Sequence, residues 1–328
     1  MATDKQKEPE KATVAPGDPR TEAKYIEAID RLRRERRPVI IAHYYQCPES
    51  QELADHIGDS LALARLAAQT DAEVIVLCGV HFMAETAKIL CPGRTVLIPA
   101  PEAGCSLADS CPPEEFEAFI KEHPGHTVVS YVNTSAAVKA LTDIVVTSGN
   151  ARKIIESLPQ DEKIIFGPDR NLGGYINSVT GRDMVLWPGA CHVHDRFSLQ
   201  GILDMKRENP GAKILVHPEC RKPLQLIADM VGSTARLLEY AQSSDADTFI
   251  VVTESGILHE MRRLCPGKPL RAAPADDAEF QCNQCEYMKL ITLEKLYRCL
   301  RDMTPAVHVE PDLAEKAIRP IRRMLELS

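Results

Sequence analysis

The sequence predicts an α/β protein built from three similar three-layer α/β/α units with parallel sheets, set about a pseudo-threefold axis with one site at the centre. Three observations predict it. One pattern of polar residues recurs three times in phase along the 328 residues. The strands within it are continuous apolar runs, as in parallel sheets covered on both faces, where alternation would mark a half-exposed sheet. Each copy ends on one cysteine that follows a loop, as in Trp187-Pro188-Gly189-Ala190-Cys191, a placement suited to ligation and poorly suited to packing.

The copies overlay without outside information. The apolar runs Pro38–Ala42, Thr127–Ser130 and Lys213–Val216 end in the triplets His43-Tyr44-Tyr45, Tyr131-Val132-Asn133 and His217-Pro218-Glu219. Seventeen residues after the first member of each triplet stands a hydroxyl, Ser60, Ser148 and Thr234, and five residues before each hydroxyl stands an aspartate, Asp55, Asp143 and Asp229. Another 45, 43 and 51 residues on lie Cys105, Cys191 and Cys285. The period of about 85–90 residues is too long for a solenoid repeat and suits a small α/β unit. The expected division is a disordered tail over 1–20, then units at 21–110, 111–196 and 197–288, with C-terminal helices in 289–328 packing back on the first unit.

Taken in order, Glu22–Arg37 is a first helix, apolar at Ile26, Ile29 and Leu32 and basic at its end, which suits a helix C-terminus. Val39–Ala42 is a buried strand whose end presents His43 and Tyr45 on one side, because side chains alternate. Gln51–His56 is expected to be helical, and Gly58-Asp59-Ser60 to open the helix Leu61–Ala68 with free N–H groups suited to anions. Val74–Gly79 is strand, Phe82–Leu90 helix and Val96–Pro99 strand, before the loop Ala100–Gly104 delivers Cys105. In the second copy Pro113–Glu122 is helix, Thr127–Ser130 strand, Ala136–Leu141 helix, Ile144–Val146 strand, Ala151–Leu158 helix and Lys163–Phe166 strand. A loop is expected from Gly167 to Gly174, then the strand Met184–Leu186. In the third, Phe197–Glu208 is helix, Lys213–Val216 strand, Ala235–Ala241 helix, Thr248–Val252 strand, Ile257–Leu264 helix and Pro269–Ala272 strand. Leu290–Arg301 and Leu313–Leu327 are amphipathic helices.

Bulk properties exclude several classes. A net charge of −8 argues against an electrostatic nucleic-acid binder. No window approaches the ~20 apolar residues of a membrane span. The start, Met1–Arg20, is rich in Lys, Glu and Pro and lacks the apolar core of a secretory signal. Eleven cysteines, an odd number without an export signal, favour reduced thiols, metal ligation or redox chemistry over a disulfide framework, and the cytoplasm as location.

Three units about one axis would bring three polar triplets, three hydroxyls and three cysteines to one place. Three thiolates with an open position suit either a catalytic zinc or a 4Fe–4S cluster with one iron lacking a protein ligand, and the dispersed single cysteines favour the cluster. An open iron is a Lewis acid able to bind a carboxylate or hydroxyl and drive loss of water. Glu219 is the only carboxylate at the triplet ends and is the candidate general base. Tyr45, on the face of His43, is the second candidate proton carrier.

The motifs His43-Tyr44-Tyr45-Gln46, Gly58-Asp59-Ser60, Gly79–Ala87, Pro168-Asp169-Arg170-Asn171-Leu172-Gly173, Cys191–His194, His217-Pro218-Glu219-Cys220 and Cys285-Glu286-Tyr287-Met288 together resemble the quinolinate synthase family over about residues 25–300. The resemblance implies a transferase that condenses iminoaspartate (iminosuccinate) with dihydroxyacetone phosphate to quinolinate, phosphate and water on the route to NAD. It implies a 4Fe–4S cluster on Cys105, Cys191 and Cys285, the last chosen over Cys282 because Met288 follows it by three residues, with Cys282 left as a redox partner. It implies substrate binding by His43, Ser60, Tyr131, Asn133, Ser148, His217, Glu219 and Thr234, with Val132 and Pro218 contributing backbone. It places His217 with Glu219 and Tyr45 in the catalytic set, and implies an L-aspartate oxidase as supplier of iminoaspartate. Two rivals come from other classes: an open-iron hydro-lyase acting on a hydroxy acid, and a non-catalytic zinc-binding module.

Overall fold

The computed structural model describes residues 19–276 and 283–328. The tail expected over residues 1–20 lies outside them except for its last two residues. Among the described residues no helix is long and apolar enough to cross a membrane.

The first unit runs α1 (Pro19–Arg36), β1 (Val39–His43), α2 (Pro48–Glu52), β2 (His56–Gly58), α3 (Ser60–Gln69), β3 (Val74–Cys78), α4 (His81–Leu90), β4 (Thr95–Leu97) and the one-turn α5 (Ser106–Asp109). The second repeats it with α6 (Pro113–Glu122), β5 (Thr127–Tyr131), α7 (Ala136–Ala140), β6 (Ile144–Val146), α8 (Ala151–Ser157), β7 (Ile164–Gly167), α9 (Arg170–Thr180) and β8 (Val185–Leu186). The third has α10 (Leu199–Glu208), β9 (Lys213–Val216), α11 (Lys222–Leu226), β10 (Met230–Val231), α12 (Thr234–Ser243), β11 (Phe249–Val252), α13 (Ile257–Leu264) and β12 (Leu270–Ala272). Two helices close the chain, α14 (Leu293–Asp302) and α15 (Pro311–Leu327).

Each unit holds a four-stranded, all-parallel sheet, and the strand orders are β2-β1-β3-β4, β6-β5-β7-β8 and β10-β9-β11-β12. The central strands are buried on both faces, Ile40, Ile41, Val129, Ile165, Leu215 and Ile250 among them. That explains their unbroken apolar runs. The first strand of each unit lies between neighbours whose connections leave in opposite directions, so its carboxyl end opens into the crevice where α/β sheets bind ligands.

The repeated aspartates build the fold. Asp55 donates its N–H to the Ile40 carbonyl at 2.8 Å while its Oδ2 accepts the Ile40 N–H at 2.8 Å. Asp143 does the same with Val128 (2.9 and 2.8 Å) and Asp229 with Ile214 (2.9 and 2.9 Å). Each thus locks the short edge strand beside the first strand at one register. This clamp explains a departure from expectation: the helix placed at Gln51–His56 ends at Glu52, and His56–Gly58 is an edge strand paired with β1.

The stretch Gly167–Gly174, expected as a loop, is instead a cap and the first turn of α9. Asp169 accepts the Leu172 N–H at 2.7 Å as the N-cap, and a Cβ on Gly173 would stand 2.6 and 2.8 Å from Leu186 and Phe166. The glycine therefore lets a helix sit close on its own sheet. The short α11 and β10 also went unanticipated. Of the C-terminal helices, α14 lies against α1, whereas α15 rests on α7 and β6 of the second unit as well as on α4. That departs from the expectation that both pack on the first unit.

Because the aspartate clamp is repeated, exposed and away from the pocket, Asp143→Ala should cost about 1 kcal/mol in urea unfolding, the net worth of one such hydrogen bond, and leave activity unchanged.

Candidate active site

The three first-strand ends converge on one pocket enclosing about 720 Å³ of space, part of it open to solvent. His43, Tyr45, Tyr131, Asn133, His217 and Glu219 all line it, as do Ser60, Ser148 and Thr234 and the three cysteines Cys105, Cys191 and Cys285. Val132 and Pro218 are placed differently. The Val132 N–H donates to Val146, its carbonyl accepts from Lys139 at 2.8 Å, and the Pro218 carbonyl accepts from Gln225 at 2.9 Å. Those backbone groups are engaged within the protein.

The hydroxyls that open the helices do not cap them, because neighbours do. Asp59 caps α3 by accepting from Ala62, and Ser233 caps α12 by accepting from Arg236, so Ser60 and Thr234 occupy the first helical position. Ser148 lies in the turn closed by Asn150 Oδ1, which accepts the Thr147 N–H at 2.6 Å.

Both triplet histidines are held alike. His43 Nδ1 accepts the Tyr45 N–H at 3.1 Å, and His217 Nδ1 accepts the Glu219 N–H at 3.4 Å. In a neutral ring the proton must then sit on Nε2. Burial, with Lys289 nearby, pulls His43 down to about 3, and burial likewise pulls His217 down to about 3. Both are neutral donors at physiological pH. Burial also raises the Tyr45 and Tyr131 hydroxyls well above their ordinary value, so both stay protonated.

A hydrogen-bonded chain runs across the pocket floor and joins all three units. Thr234 Oγ1 lies 2.8 Å from the Tyr45 hydroxyl, which lies 2.6 Å from Thr253 Oγ1. Thr253 Oγ1 meets His194 Nε2 at 2.9 Å, and His194 Nδ1 meets Glu219 Oε2 at 3.0 Å. The other carboxylate oxygen accepts from the Tyr131 hydroxyl at 2.5 Å. Burial acts to raise the Glu219 carboxyl, but His194, His217 and the Tyr131 hydroxyl outweigh it and hold it below the usual carboxylate range. Glu219 is therefore ionised among hydrogen-bond donors. The Asn133 Oδ1, buried at the wall, has no partner among the described residues.

The cysteines share one local geometry. Each sulfur accepts the backbone N–H three residues on: Ala108 for Cys105, His194 for Cys191 and Met288 for Cys285. A single helical turn follows each, α5 directly and the 3₁₀ turns His194–Arg196 and Met288–Leu290 three residues on, and the next long helix starts eight residues after the cysteine in every case. Desolvation pushes the Cys105 thiol up to about 12 and raises Cys191 and Cys285 as well, and charge on Cys105 opposes charge on both others. Three converging sulfurs with N–H donors preset for thiolate and opposed to one another's charge fit a soft metal group that brings the positive charge itself. A second donor set, Cys191 Sγ, His194 and Glu219, lies within 4.8 Å and shares only Cys191 with the first. Cys282, the expected redox partner, lies outside the described residues.

Several residues of the site had no role assigned from the sequence. His194 was visible three residues after Cys191, yet its place between Thr253 and Glu219 needed the fold. Asp169 Oδ2 accepts the Cys191 N–H at 3.2 Å, and Glu254 Oε1 accepts the Cys285 N–H at 3.1 Å. Glu254 is also paired with Lys289 at 3.1 Å. These acids each stand two residues past the third strand of their units, a phase signal that extending the overlay beyond the first strands would have caught.

Three parallel sheets aimed at one pocket lined by sulfurs, imidazoles and the carboxylate of Glu219 define a multi-unit α/β protein with a candidate metal-binding centre. The family model described as "Quinolinate synthetase A protein" matches residues 27–326, and the chain belongs to that family. It is 53% identical over 317 residues to the quinolinate synthase of Thermosynechococcus vestitus, covering 97% of this chain and 99% of that protein. It is 53% identical over 303 residues to that of Chloroherpeton thalassium, with 92% and 94% covered, and 54% identical over 301 residues to that of Microcystis aeruginosa, with 92% and 94% covered.

The buried neutral imidazoles set a pH dependence. A histidine whose folded pKa is depressed takes a proton only on unfolding, so its contribution falls as pH drops below the unfolded value near 6.5. His43→Asn keeps an acceptor for the Tyr45 N–H and removes the titration. Between pH 7 and pH 5 the stability of the metal-free wild type should fall relative to His43→Asn by about 2 kcal/mol, measured by urea unfolding at each pH.

Proposed function

We propose that the protein condenses iminoaspartate with dihydroxyacetone phosphate to quinolinate, releasing phosphate and water, on the cytoplasmic route to NAD. The observation that carries this reading is the convergence of three repeated strand ends on a pocket that pairs one ionised carboxylate with three sulfurs and a set of neutral donors, in a chain of this family. Cys105, Cys191 and Cys285 would hold a 4Fe–4S cluster, which when bound supplies a Lewis-acid iron without a protein ligand. An L-aspartate oxidase is the expected source of iminoaspartate.

The remaining chemistry falls to the side chains. Ser60, Ser148 and Thr234 offer hydroxyls to phosphate and carboxylate oxygens, and the Nε2–H groups of His43 and His217 donate to anionic substrates without carrying charge themselves. The unpartnered Asn133 Oδ1 accepts a substrate N–H or O–H. Triose isomerisation, ring closure and dehydration all move protons at carbon. Glu219, ionised and in the pocket, takes them as general base. The Tyr45 hydroxyl donates at the other end of the chain through Thr253 and His194, so a proton taken at Glu219 and one given at Tyr45 are connected by hydrogen bonds.

Phosphate release that requires the triose phosphate excludes the hydro-lyase alternative. Ser148→Ala should weaken substrate binding by about 1–2 kcal/mol, the scale of a charge-assisted hydrogen bond. Glu219→Gln should bind nearly as wild type and turn over roughly 10²-fold more slowly. Steady-state quinolinate formation with separate binding titrations measures both. A Glu219→Gln enzyme that loses binding but keeps its saturated turnover would make Glu219 an anchor.

A further inference from the structure

The short helix after each triplet carries, at its fourth residue, a nitrogen donor that grips the backbone on both sides of the triplet's third member. In the first unit Gln51 Nε2 donates to the Tyr44 and Gln46 carbonyls at 3.0 and 2.9 Å, flanking Tyr45. In the second Lys139 Nζ donates to the Val132 carbonyl at 2.8 Å and to that of Thr134, flanking Asn133. In the third Gln225 Nε2 donates to the Pro218 and Cys220 carbonyls at 2.9 and 2.7 Å, flanking Glu219. Every donor stands six residues after the residue it brackets. Gln51 and Lys139 are buried.

The same three groups also reach the next unit around the axis, in one rotational sense. The Gly256 carbonyl of the third unit lies 3.0 Å from Gln51 Nε2 and the Asn171 carbonyl of the second 3.4 Å from Gln225 Nε2, each sharing the two amide hydrogens with the flanking carbonyls. Lys139 Nζ stands 5.3 Å from the centre of the Phe82 ring of the first. A side chain that merely satisfied buried carbonyls would not be expected to repeat its phase, its pair of acceptors and its cross-unit contact three times.

We propose that Gln51, Lys139 and Gln225 are positioning residues that fix Tyr45, Asn133 and Glu219 in the pocket and tie each unit's triplet to the neighbouring unit. The donor is what matters, whether amide or ammonium, because two units use Gln where the third uses Lys. The geometric part stands on the hydrogen bonds alone, while its kinetic consequence rests on the reaction proposed above.

The test compares Lys139→Met, which keeps the length and loses the donor, with Lys139→Gln, which restores the donor of the other two units. Two readouts are taken on the cluster-loaded protein: amide hydrogen exchange over residues 131–135, and KM and kcat for quinolinate formation. Lys139→Met should speed exchange there and raise KM about tenfold with kcat within about twofold, the factor of one charge-assisted hydrogen bond, while Lys139→Gln stays near wild type. Gln225→Met provides the parallel comparison if Lys139→Met does not fold. It should speed exchange over 217–221 and lower kcat about tenfold at unchanged KM, because it acts on the general base. Equal exchange in Lys139→Met and Lys139→Gln, or in Gln225→Met and wild type, would overturn the clamp. Faster exchange with unmoved kinetic constants would leave a structural staple and overturn the positioning role. A wild type that makes no quinolinate would sink the proposed reaction, and the exchange comparison would still decide the clamp.

Discussion

The structure depends on one topological constraint: in each sheet the first strand lies between neighbours that leave in opposite directions, so its carboxyl end is not covered by its own connections. One such end makes a shallow crevice. Three of them, turned toward a common axis, make one pocket whose wall is contributed by all three units. The aspartate clamps at Asp55, Asp143 and Asp229 hold the edge strand that defines each crevice, and the cysteine turns close it from the far side. The triplets supply the chemistry because they are the residues that this arrangement leaves pointing inward.

The electrostatics of the pocket follow from burial. Imidazoles that might be cationic on the surface are driven neutral, phenols are held protonated, and Glu219 alone among the triplet residues keeps a charge, secured by Tyr131 and His194. Thiols in the same cavity resist ionisation, chiefly because they are buried, and for Cys105 and Cys191 also because a thiolate would add negative charge beside Glu219. The N–H groups of Ala108, His194 and Met288 are nevertheless aimed at the sulfurs. A site prepared for thiolate but unfavourable to bare thiolate is complete only when a cationic group joins it.

Much of the fold was legible because parallel strands buried on both faces leave unbroken apolar runs. The helices Pro113–Glu122 and Ile257–Leu264 and the strands Ile144–Val146 and Lys213–Val216 match expectation to the residue. The stretch Gly167–Gly174 misled because its glycines suggest a loop, while Gly173 serves close packing of α9 on Phe166 and Leu186. Edge strands of two or three residues, such as Met230–Val231, carry too few side chains to signal themselves. In the site, the triplets, hydroxyls and cysteines were visible as a repeat. The partners that hold them were not, because Thr253 meets Tyr45 across 208 residues and meets His194 across 59. The repeated aspartates stood in plain view, but their partners are backbone groups, which leave no mark on a sequence.

The central claim is that Cys105, Cys191 and Cys285 together hold one iron–sulfur cluster. It is tested most directly by the metal and acid-labile sulfide content of anaerobically purified protein, measured alongside Cys105→Ala, Cys285→Ala and His194→Ala. The account predicts iron and sulfide in the ratio of a 4Fe–4S cluster in the wild type, lost in both cysteine variants and retained in His194→Ala. Zinc without sulfide, retained in Cys105→Ala and Cys285→Ala but lost in His194→Ala, would contradict it and place the metal on Cys191, His194 and Glu219 instead.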